Sequence, residues 1–434
     1  MAIHSLGLLE NSEALKSGKI SLSKYVNKIC DRIDNLEPIY HSLLPESNRR
    51  SRLLKEAKEL ENKYPDTNNR PSLFGVLLGV KDIFSVEGFP TKAGSKLPSK
   101  LFEKEEANSV KLLKEAGALI LGKTVTTEFA YFSPGPTRNP YNPAYTPGGS
   151  SSGSAAAVAL GLCPLALGTQ TIGSIIRPAS YCGILGFKPS FDRINTEGLV
   201  YFSKSYDHVG LFTQDLEGME LASSILCKGW ESNKKRPGDM PVIGLPKGPY
   251  LNQVNKEILD IFEDQINKFV RAGFTVKSAN IFDNIKKINA RHRRLGAAEM
   301  ARVHKEWFNE YYELYSKKTR EIFEKGILIS DQEINNLQQK GPELRSYLSN
   351  FMIEKGIELW ISPSTIDIAP KGLESTGSPI MNLPWTHAGM PTLNIPIRKL
   401  HKGLPLGLQI TANFWKDEML LQWANNLNNI LIES

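Results

Sequence analysis

One lysine and two serines lie in segments where their side chains could do chemistry together. Lys81 interrupts the apolar run LLGVKDIF, Ser150 follows two glycines in PGGSSSGS, and Ser174 ends the turn GTQTIGS. A serine hydroxyl is a weak nucleophile and needs a base beside it. A lysine can be that base if burial lowers its pKa from about 10.4 to roughly 7–8, because the neutral amine is then populated. The three residues together suggest nucleophilic attack by a serine.

Each of these residues, taken alone, also has an ordinary structural explanation. A lysine at the end of a strand is usually solvated, and Gly-Ser turns before helices are usually helix caps. Asp82 would point to the opposite face from Lys81 if the strand continues, so the two need not pair. It is the combination that favours catalysis.

Two short motifs match a phosphate-binding loop and a nucleophile elbow, but the segments around them do not fit either motif. Residues 117–124, GALILGKT, fit a phosphate-binding loop, but that loop must be flexible and must lie between a strand and a helix. Here ALIL is typical of a buried strand, and a helix precedes it. Residues 149–153, GSSSG, fit the nucleophile elbow of α/β-hydrolases, which needs an apolar strand before it. The preceding RNPYNPAYTPG contains prolines that exclude a central strand.

Four longer segments resemble the amidase signature family: GVLLGVKDIFSVEGFPTKAGS (75–95), PGGSSSGSAAAVALG (147–161), GTQTIGSIIRPASYCGILGFKPS (168–190) and PIMNLPWTHAGMPTLNIP (379–396). The likeness extends from about residue 5 to residue 425. It implies an α/β fold, a single large α/β/α domain over 1–434 with a central twisted mixed sheet flanked by helices. It also implies a Ser–cisSer–Lys triad that works without a cofactor or metal ion.

The resemblance assigns a role to each triad position. Ser174 would attack the amide carbonyl, Ser150 would pass the proton through a residue that follows a cis peptide bond, and Lys81 would be the final base. Backbone N–H groups would form the oxyanion hole, those of Thr171, Ile172, Gly173 and Ser174. Residues expected to bind substrate are Tyr131, Phe132, Gly149 and Gln170.

The chain departs from the family pattern near the nucleophile. Gln170 stands where the family usually has aspartate, and Ile172 replaces a glycine, which argues against a positive φ there. Arg177 comes one residue later than usual, and Ser152 replaces a glycine in the first motif. We expect Gln170 and Arg177 to hydrogen-bond with each other.

Three further residues are expected to be structural. Asp207 should brace the core, and Cys182 should pack as a small hydrophobic side chain, because nothing near it in sequence would activate it. His387 could line a pocket, but a structural role is favoured.

The elements that must position these residues follow from periodicity. Residues 1–65 are predicted to be helical, with Pro38 and Pro65 as stops. Strand and helix patterns alternate over 70–215, which is predicted to be the catalytic core. Residues 284–357 are predicted to be helical and to form the substrate pocket, since selectivity commonly resides in sections of variable length and charge.

Composition excludes several classes of function. Lys and Arg total 53 against 46 for Asp and Glu, and this net charge of +7 is mixed along helices rather than gathered in a nucleic-acid-binding stripe. The four cysteines have no CxxC spacing, which argues against a disulfide framework or zinc cluster and fits the cytoplasm. No signal peptide or apolar membrane span is evident.

An amidase acting on a small or medium-sized molecule is therefore the leading prediction. The expected partner is an amide substrate, with no direct contact to nucleic acid or membrane, and a homodimer is allowed. One alternative is the glutaminase-type amidase subunit of a tRNA-dependent amidotransferase, which has the same triad. The other is a non-catalytic binding protein on the same fold.

Overall fold

A mixed sheet lies at the centre of the molecule, with helices packed on both of its faces. The computed structural model describes residues 7–231 and 240–433. Residues 1–6, 232–239 and 434, which the predicted domain 1–434 includes, lie outside the described residues. The strands are β1 (Leu77–Lys81), β2 (Leu119–Thr124), β3 (Leu165–Gln170), β4 (Leu185–Lys188), β5 (His208–Thr213), β6 (Ile243–Pro246), β7 (Val276–Ala279), β8 (Leu359–Pro363), β9 (Thr392–His401) and β10 (Leu404–Ala412).

The helices fill the connections between these strands. They are α1 (Leu8–Lys16), α2 (Leu22–Tyr40), α3 (Arg49–Lys63), α4 (Asn108–Glu115), α5 (Ser152–Ala159), α6 (Ile176–Cys182), α7 (Leu216–Leu226), α8 (Lys256–Arg271), α9 (Ile285–Val303), α10 (Lys305–Tyr311), α11 (Lys317–Ile327), α12 (Asp331–Lys355), α13 (Leu383–His387) and α14 (Asp417–Glu433). Within the described ranges, no helix is both long and apolar enough to cross a membrane.

The order of the sheet is β2-β1-β3-β5-β4-β9-β10-β8-β6-β7. Strands β2, β1 and β3 run parallel to one another at one end, and β8, β6 and β7 do so at the other. Antiparallel pairs join these two groups through β5, β4, β9 and β10. The predicted mixed sheet flanked by helices is confirmed.

Strand β1 brings Lys81 to the site. All five of its residues are buried between two parallel neighbours, the setting that produces a nearly continuous apolar run such as LLGVK. Lys81 is its last residue, and β3 ends beside it at Gln170. Functional groups therefore gather at the carboxyl ends of adjacent parallel strands, where open α/β sheets form crevices.

Helix α5, which follows the Ser150 turn, is fixed by its small side chains. Every residue from Ser152 to Ala159 is buried. A Cβ atom on Gly153 would lie 2.2 Å from the Ser42 carbonyl oxygen and 2.3 Å from the Val125 nitrogen. Only glycine allows this close approach, so the turn before the helix is anchored to the core.

Two predictions about local structure need correction. Helix α2 continues through Pro38 to Tyr40 and ends at His41, which has a left-handed φ of 48°. A proline so near the C-terminus removes only one helical hydrogen bond, so it does not act as a stop. The predicted turn from Gly168 is in part the end of strand β3. By contrast, Leu119–Thr124 of the rejected phosphate-loop motif is strand β2, as predicted.

Candidate active site

The amine of Lys81 is fully buried, and its hydrogen-bond partners in the described part of the chain are hydroxyls. Its Nζ donates to Ser150 Oγ at 2.8 Å and to Thr169 Oγ1 at 2.7 Å. Burial lowers the pKa of Lys81 to about 7, and the charge of Asp207 opposes that shift only in part. A sizeable fraction of the amine is therefore neutral at physiological pH. Asp82 does not pair with Lys81, because it forms a buried ion pair with Lys123 at 3.1 Å.

Ser150 lies in a loop that hydrogen bonds hold from both sides. The Gly149–Ser150 peptide bond is cis. The carbonyl of Ser150 accepts from the Thr127 amide at 3.2 Å, and Ser150 is 2% exposed. The next residue, Ser151, joins the loop to β3 through the carbonyl and amide of Thr169.

Ser174 lies between β3 and α6 at the end of a turn with unused donors. Within the described residues, its hydroxyl makes no hydrogen bond, either to Ser150 or to any other group, and the amides of residues 171–174 donate none. The φ of Ile172 is not positive, as expected for a β-branched residue. Gly173 is required by close packing instead, because a Cβ there would lie 2.3 Å from Asn382 Oδ1.

The side chain of Gln170 holds this turn rather than binding Arg177 or lining a cavity. Its Oε1 accepts from the amides of Ile175 at 2.8 Å and Ile176 at 3.1 Å. Its Nε2 donates to Thr386 Oγ1 at 2.9 Å, and that hydroxyl donates to the Ile172 carbonyl at 2.7 Å. The predicted pairing of Gln170 with Arg177 is wrong, because the amide satisfies two backbone donors that a carboxylate could also accept.

Arg177 instead connects α6 with the Ser150 loop. Its guanidinium donates twice to the Gly149 carbonyl, at 2.6 and 3.2 Å, and once to the Gly377 carbonyl. Burial lowers the pKa of Arg177 to about 10, so it stays charged at neutral pH. Gly149 is packed against Thr376, and a Cβ there would lie 2.9 Å from that side chain. Gly149 is therefore held next to Ser150, and its role in substrate binding stays a prediction.

The sequence predicts that Asp207 braces the core, and its buried carboxylate joins the turn at Thr171 to the loop at residues 202–203. It accepts from Thr171 Oγ1 and from the amides of Phe202 at 2.8 Å and Ser203 at 3.0 Å. Burial raises the pKa of Asp207 to about 6, although these hydrogen bonds and the charge of Lys81 favour the ionised form.

A cavity of about 680 Å³ opens beside Thr171 and Ile172. Tyr131 and Phe132 line it, and the far wall comes from α9 and α11, which belong to the section predicted to form the pocket. The volume lies within the usual range for sites that bind small molecules. The cavity is therefore a candidate substrate site.

The remaining candidate residues are buried, and His387 also lines a second cavity of about 500 Å³. Cys182 is buried, and its thiol donates to the Pro147 carbonyl. His387 is buried with Nδ1 2.9 Å from the Tyr206 hydroxyl, and burial lowers its pKa to about 4. Among the described residues, no group of three or more His, Cys, Asp and Glu is arranged to hold a metal ion.

Sequence reasoning did not identify Thr169 or Thr386 as parts of the site. Thr169 is one residue from the end of β3, so its place beside Lys81 depends on the pairing of β1 with β3. Thr386 lies 216 residues from its partner Gln170. The segment 379–396 is recognisable in the sequence, but no local signal distinguishes this threonine from its neighbours.

Comparison with known proteins identifies the family of the chain. Residues 24–421 match the model of the family described as Amidase. One subunit of the glutamyl-tRNA(Gln) amidotransferase from Sulfurihydrogenibium sp. (strain YO3AOP1) is 28% identical over 99% of this chain and 98% of its own. A crystal structure of an amidase superimposes with a TM-score of 0.88 at 29% identity, covering 97% of this chain and 99% of its own.

A second solved structure shares the fold at lower identity. It is the native peptide amidase from Stenotrophomonas maltophilia, with a TM-score of 0.82 and 23% identity over 98% of this chain and 96% of its own. The enzymatic prediction is thus confirmed, and the non-catalytic alternative loses its support. This chain belongs to the amidase family and is an enzyme that hydrolyses amides.

Proposed function

We propose that the enzyme hydrolyses the carboxamide bond of a small or medium-sized molecule through an acyl-enzyme on Ser174. Ser150 relays the proton, and Lys81 is the general base. The observation that carries this proposal is the environment of Lys81: a fully buried amine, hydrogen-bonded to Ser150, with a pKa lowered by burial to about 7. The hydroxyl partner distinguishes Lys81 from the other buried lysines: Lys188 has a similarly lowered pKa but donates to two backbone carbonyls, and Lys123 pairs with Asp82.

Acylation begins when Ser174 Oγ attacks the carbonyl carbon of the substrate. The Ser174 proton passes to Ser150 Oγ, while the Ser150 proton passes to the lone pair of Lys81 Nζ. The same relay then returns a proton to the leaving nitrogen, the C–N bond breaks, and ammonia or an amine departs. Water attacks the acyl-enzyme with its proton taken by the same route, which releases the acid and restores Ser174.

The turn before Ser174 would stabilise the negative charge that develops on the carbonyl oxygen. Its amides donate no other hydrogen bond in the described part of the chain, so they are available to an oxyanion. Loss of one such donor costs about 3–4 kcal/mol of transition-state stabilisation in enzymes where it has been measured. Thr386 and Gln170 fix the turn, so the donors need not reorganise during the reaction.

A fluorophosphonate probe tests the nucleophile directly. We expect the wild-type enzyme to be labelled, and labelling to disappear in Ser174→Ala while its melting temperature is unchanged. Ser224→Ala, on α7, is the matched control and should label normally. Persistent labelling of Ser174→Ala at a different serine would refute the assignment.

The second candidate function is that of a subunit of a tRNA-dependent amidotransferase. The protein that matches over nearly the full chain belongs to a glutamyl-tRNA(Gln) amidotransferase. Under this alternative the substrate is glutamine, and its hydrolysis depends on a partner protein. Assay of the purified chain alone distinguishes the two: turnover of simple amides supports the free amidase, whereas turnover of glutamine only after a partner is added supports the amidotransferase component.

A further inference from the structure

The substrate cavity has two chemically different walls beside the turn at Thr171 and Ile172. One wall is aromatic and the other is cationic. The aromatic wall is Tyr131, Phe132 and Phe202: Tyr131 stacks on Phe202 at 5.3 Å with an interplanar angle of 9° and meets the edge of Phe132 at 4.9 Å. Such a wall accommodates the apolar part of a substrate.

The second wall, which comes from α9 and α11, carries an excess of positive charge. Four cations line it, Arg293, Arg294, Lys318 and Lys325, and the only carboxylate among the lining residues is Glu321. A cavity wall with this imbalance raises the local concentration of anions.

Two of these cations already bind other groups of the protein. Arg294 pairs with Glu333. Lys318 donates to the carbonyls of Phe132 at 3.1 Å and Glu374 at 3.3 Å, which holds α11 against the aromatic wall. Arg294 and Lys318 therefore stabilise the wall itself.

Arg293 and Lys325 have no such partner among the described residues. Across residues 7–231 and 240–433, neither makes a hydrogen bond or an ion pair, although both line the cavity. The charge of Arg293 also acts on the partly buried Tyr131 and the buried His292, which line the same cavity. An amide with an ammonium end would meet repulsion here, and one with a methyl end would leave the cations without a partner.

We propose that the preferred substrates are amides that carry a carboxylate at the end remote from the scissile bond, recognised by Arg293 and Lys325. This proposal rests on the proposed function and adds the substrate class. The apolar part of such a substrate packs on the aromatic wall, while its carboxylate supplies the charge that the second wall lacks. Both cationic side chains are exposed to solvent, so the attraction is electrostatic and should weaken as salt is added.

Matched primary amides test the preference. Pentanamide, glutaramic acid and 4-aminobutanamide have similar lengths and end in a methyl, a carboxylate and an ammonium group. Adipamic and suberamic acids, with hexanamide and octanamide as their neutral counterparts, extend the series in length. Ammonia release gives kcat/KM for each compound. At low salt we expect roughly a tenfold preference for the carboxylate in at least one length pair, shrinking to about twofold in 0.5 M NaCl.

Substitutions of Arg293 and Lys325 test whether these two residues recognise the carboxylate. In the double variant Arg293→Gln with Lys325→Gln, the ratio of kcat/KM for the carboxylate to that for the methyl compound should fall to near one. Arg293→Glu should turn the preference toward the ammonium compound. Lys287→Gln, an exposed lysine on α9 outside the cavity, is the matched control and should keep the wild-type ratio.

A binding measurement keeps the two proposals separable. Carboxylate amides should protect Ser174 from the fluorophosphonate probe at lower concentrations than methyl amides of the same length. Normal labelling with equal protection or equal turnover of both series would overturn the substrate class and leave the amidase intact. Absence of labelling and of all turnover would instead defeat the proposed function, and the substrate class with it.

Discussion

Lys81 of β1 and Lys123 of β2 are both buried, but they contact different partners. Lys123 forms an ion pair with Asp82 at 3.1 Å and donates to the Phe84 carbonyl at 2.7 Å. Lys81 donates to hydroxyls. A buried charge with an opposite charge beside it holds structure together, whereas a buried amine without one favours its neutral form. The two lysines should therefore respond in opposite ways to the same substitution.

Replacement by methionine separates chemistry from stability. Lys81→Met should lower kcat by roughly 10²–10⁴, because the general base is lost, with the free energy of unfolding unchanged or raised. Lys123→Met leaves Asp82 buried and unpaired, so it should lower the free energy of unfolding by about 3–5 kcal/mol. Amide turnover and urea unfolding of both variants check this. Near-normal turnover in Lys81→Met would mean that another group is the base.

The pH dependence should report the same amine. Since Lys81 must be neutral and its pKa is about 7, kcat/KM should rise as the pH increases through 7 and then level off. Asp207→Asn removes the charge that raises this pKa, so the rise should move to lower pH. A profile that does not move would exclude Lys81 as the titrating group.

The lowered pKa of Lys81 should also make the free energy of unfolding depend on pH. The pKa of Lys81 is about 7 in the folded protein and about 10.4 in the unfolded chain, so the unfolded chain binds more protons between these values. The unfolding free energy of the wild type relative to Lys81→Met should therefore rise as the pH increases from 7 to 10. Below pH 7 the difference should stay constant. Urea titrations at several pH values measure it.

The turn between β3 and α6 is held by a hydrogen-bonded chain from Gln170 through Thr386 to the Ile172 carbonyl. The Gln170 carbonyl oxygen accepts from two backbone amides, which an aspartate carboxylate could also do. The amide can also donate, and Thr386 is the acceptor it uses. The turn between β3 and α6 thus depends on the Thr386 side chain of α13, which is far away in sequence.

Removing the Thr386 hydroxyl should loosen this turn. Thr386→Val leaves the Gln170 amide and the Ile172 carbonyl without a partner, and each unsatisfied group costs about 1–3 kcal/mol. We expect at least a tenfold fall in kcat with little change in KM, because the oxyanion donors are misplaced. Thr386→Ser retains the hydroxyl and should restore most activity. Loss of activity in Thr386→Ser but not in Thr386→Val would point to packing by the methyl group instead.

At the scale of the whole molecule, helices α9–α12 are joined to the rest of the fold by apolar packing and by a group of polar contacts. Glu128, 6% exposed, accepts from the amide of Ser316 and from the hydroxyls of Ser316 and Thr319 at the start of α11. Three donors from one helical end thus converge on a single carboxylate from the core, next to the aromatic wall of the cavity.

Glu128→Ala should release α11 without disturbing the sheet. Hydrogen exchange of the amides in Lys317–Ile327 should become at least tenfold faster, because several donors lose their acceptor, while β1 and β3 keep their protection. KM should rise as the cavity wall moves. Glu324→Ala, on the exposed side of α11, is the control. Unchanged exchange in Glu128→Ala would show that α11 is held by its apolar face alone.

Local signals explain which parts of this fold and site could be predicted. The run around Lys81 and the glycine-serine turns at Ser150 and Ser174 are recognisable within a few residues, as are the charged helices of 284–357. Strands such as β4 are short and lie in glycine-rich stretches, so periodicity hides them. The partners of Gln170 and Arg177 come from elsewhere in the chain, and only the tertiary fold decides between them.

The position of α9–α12 in the chain has one more consequence. The section enters after β7 and leaves at β8, both at the end of the sheet remote from β1 and β3. Its ends therefore do not interrupt the strands that carry the lysine or the nucleophile turn. A chimera could exchange residues 284–357 for those of another amidase and change the range of accepted molecules, while the hydrolytic apparatus is inherited unaltered.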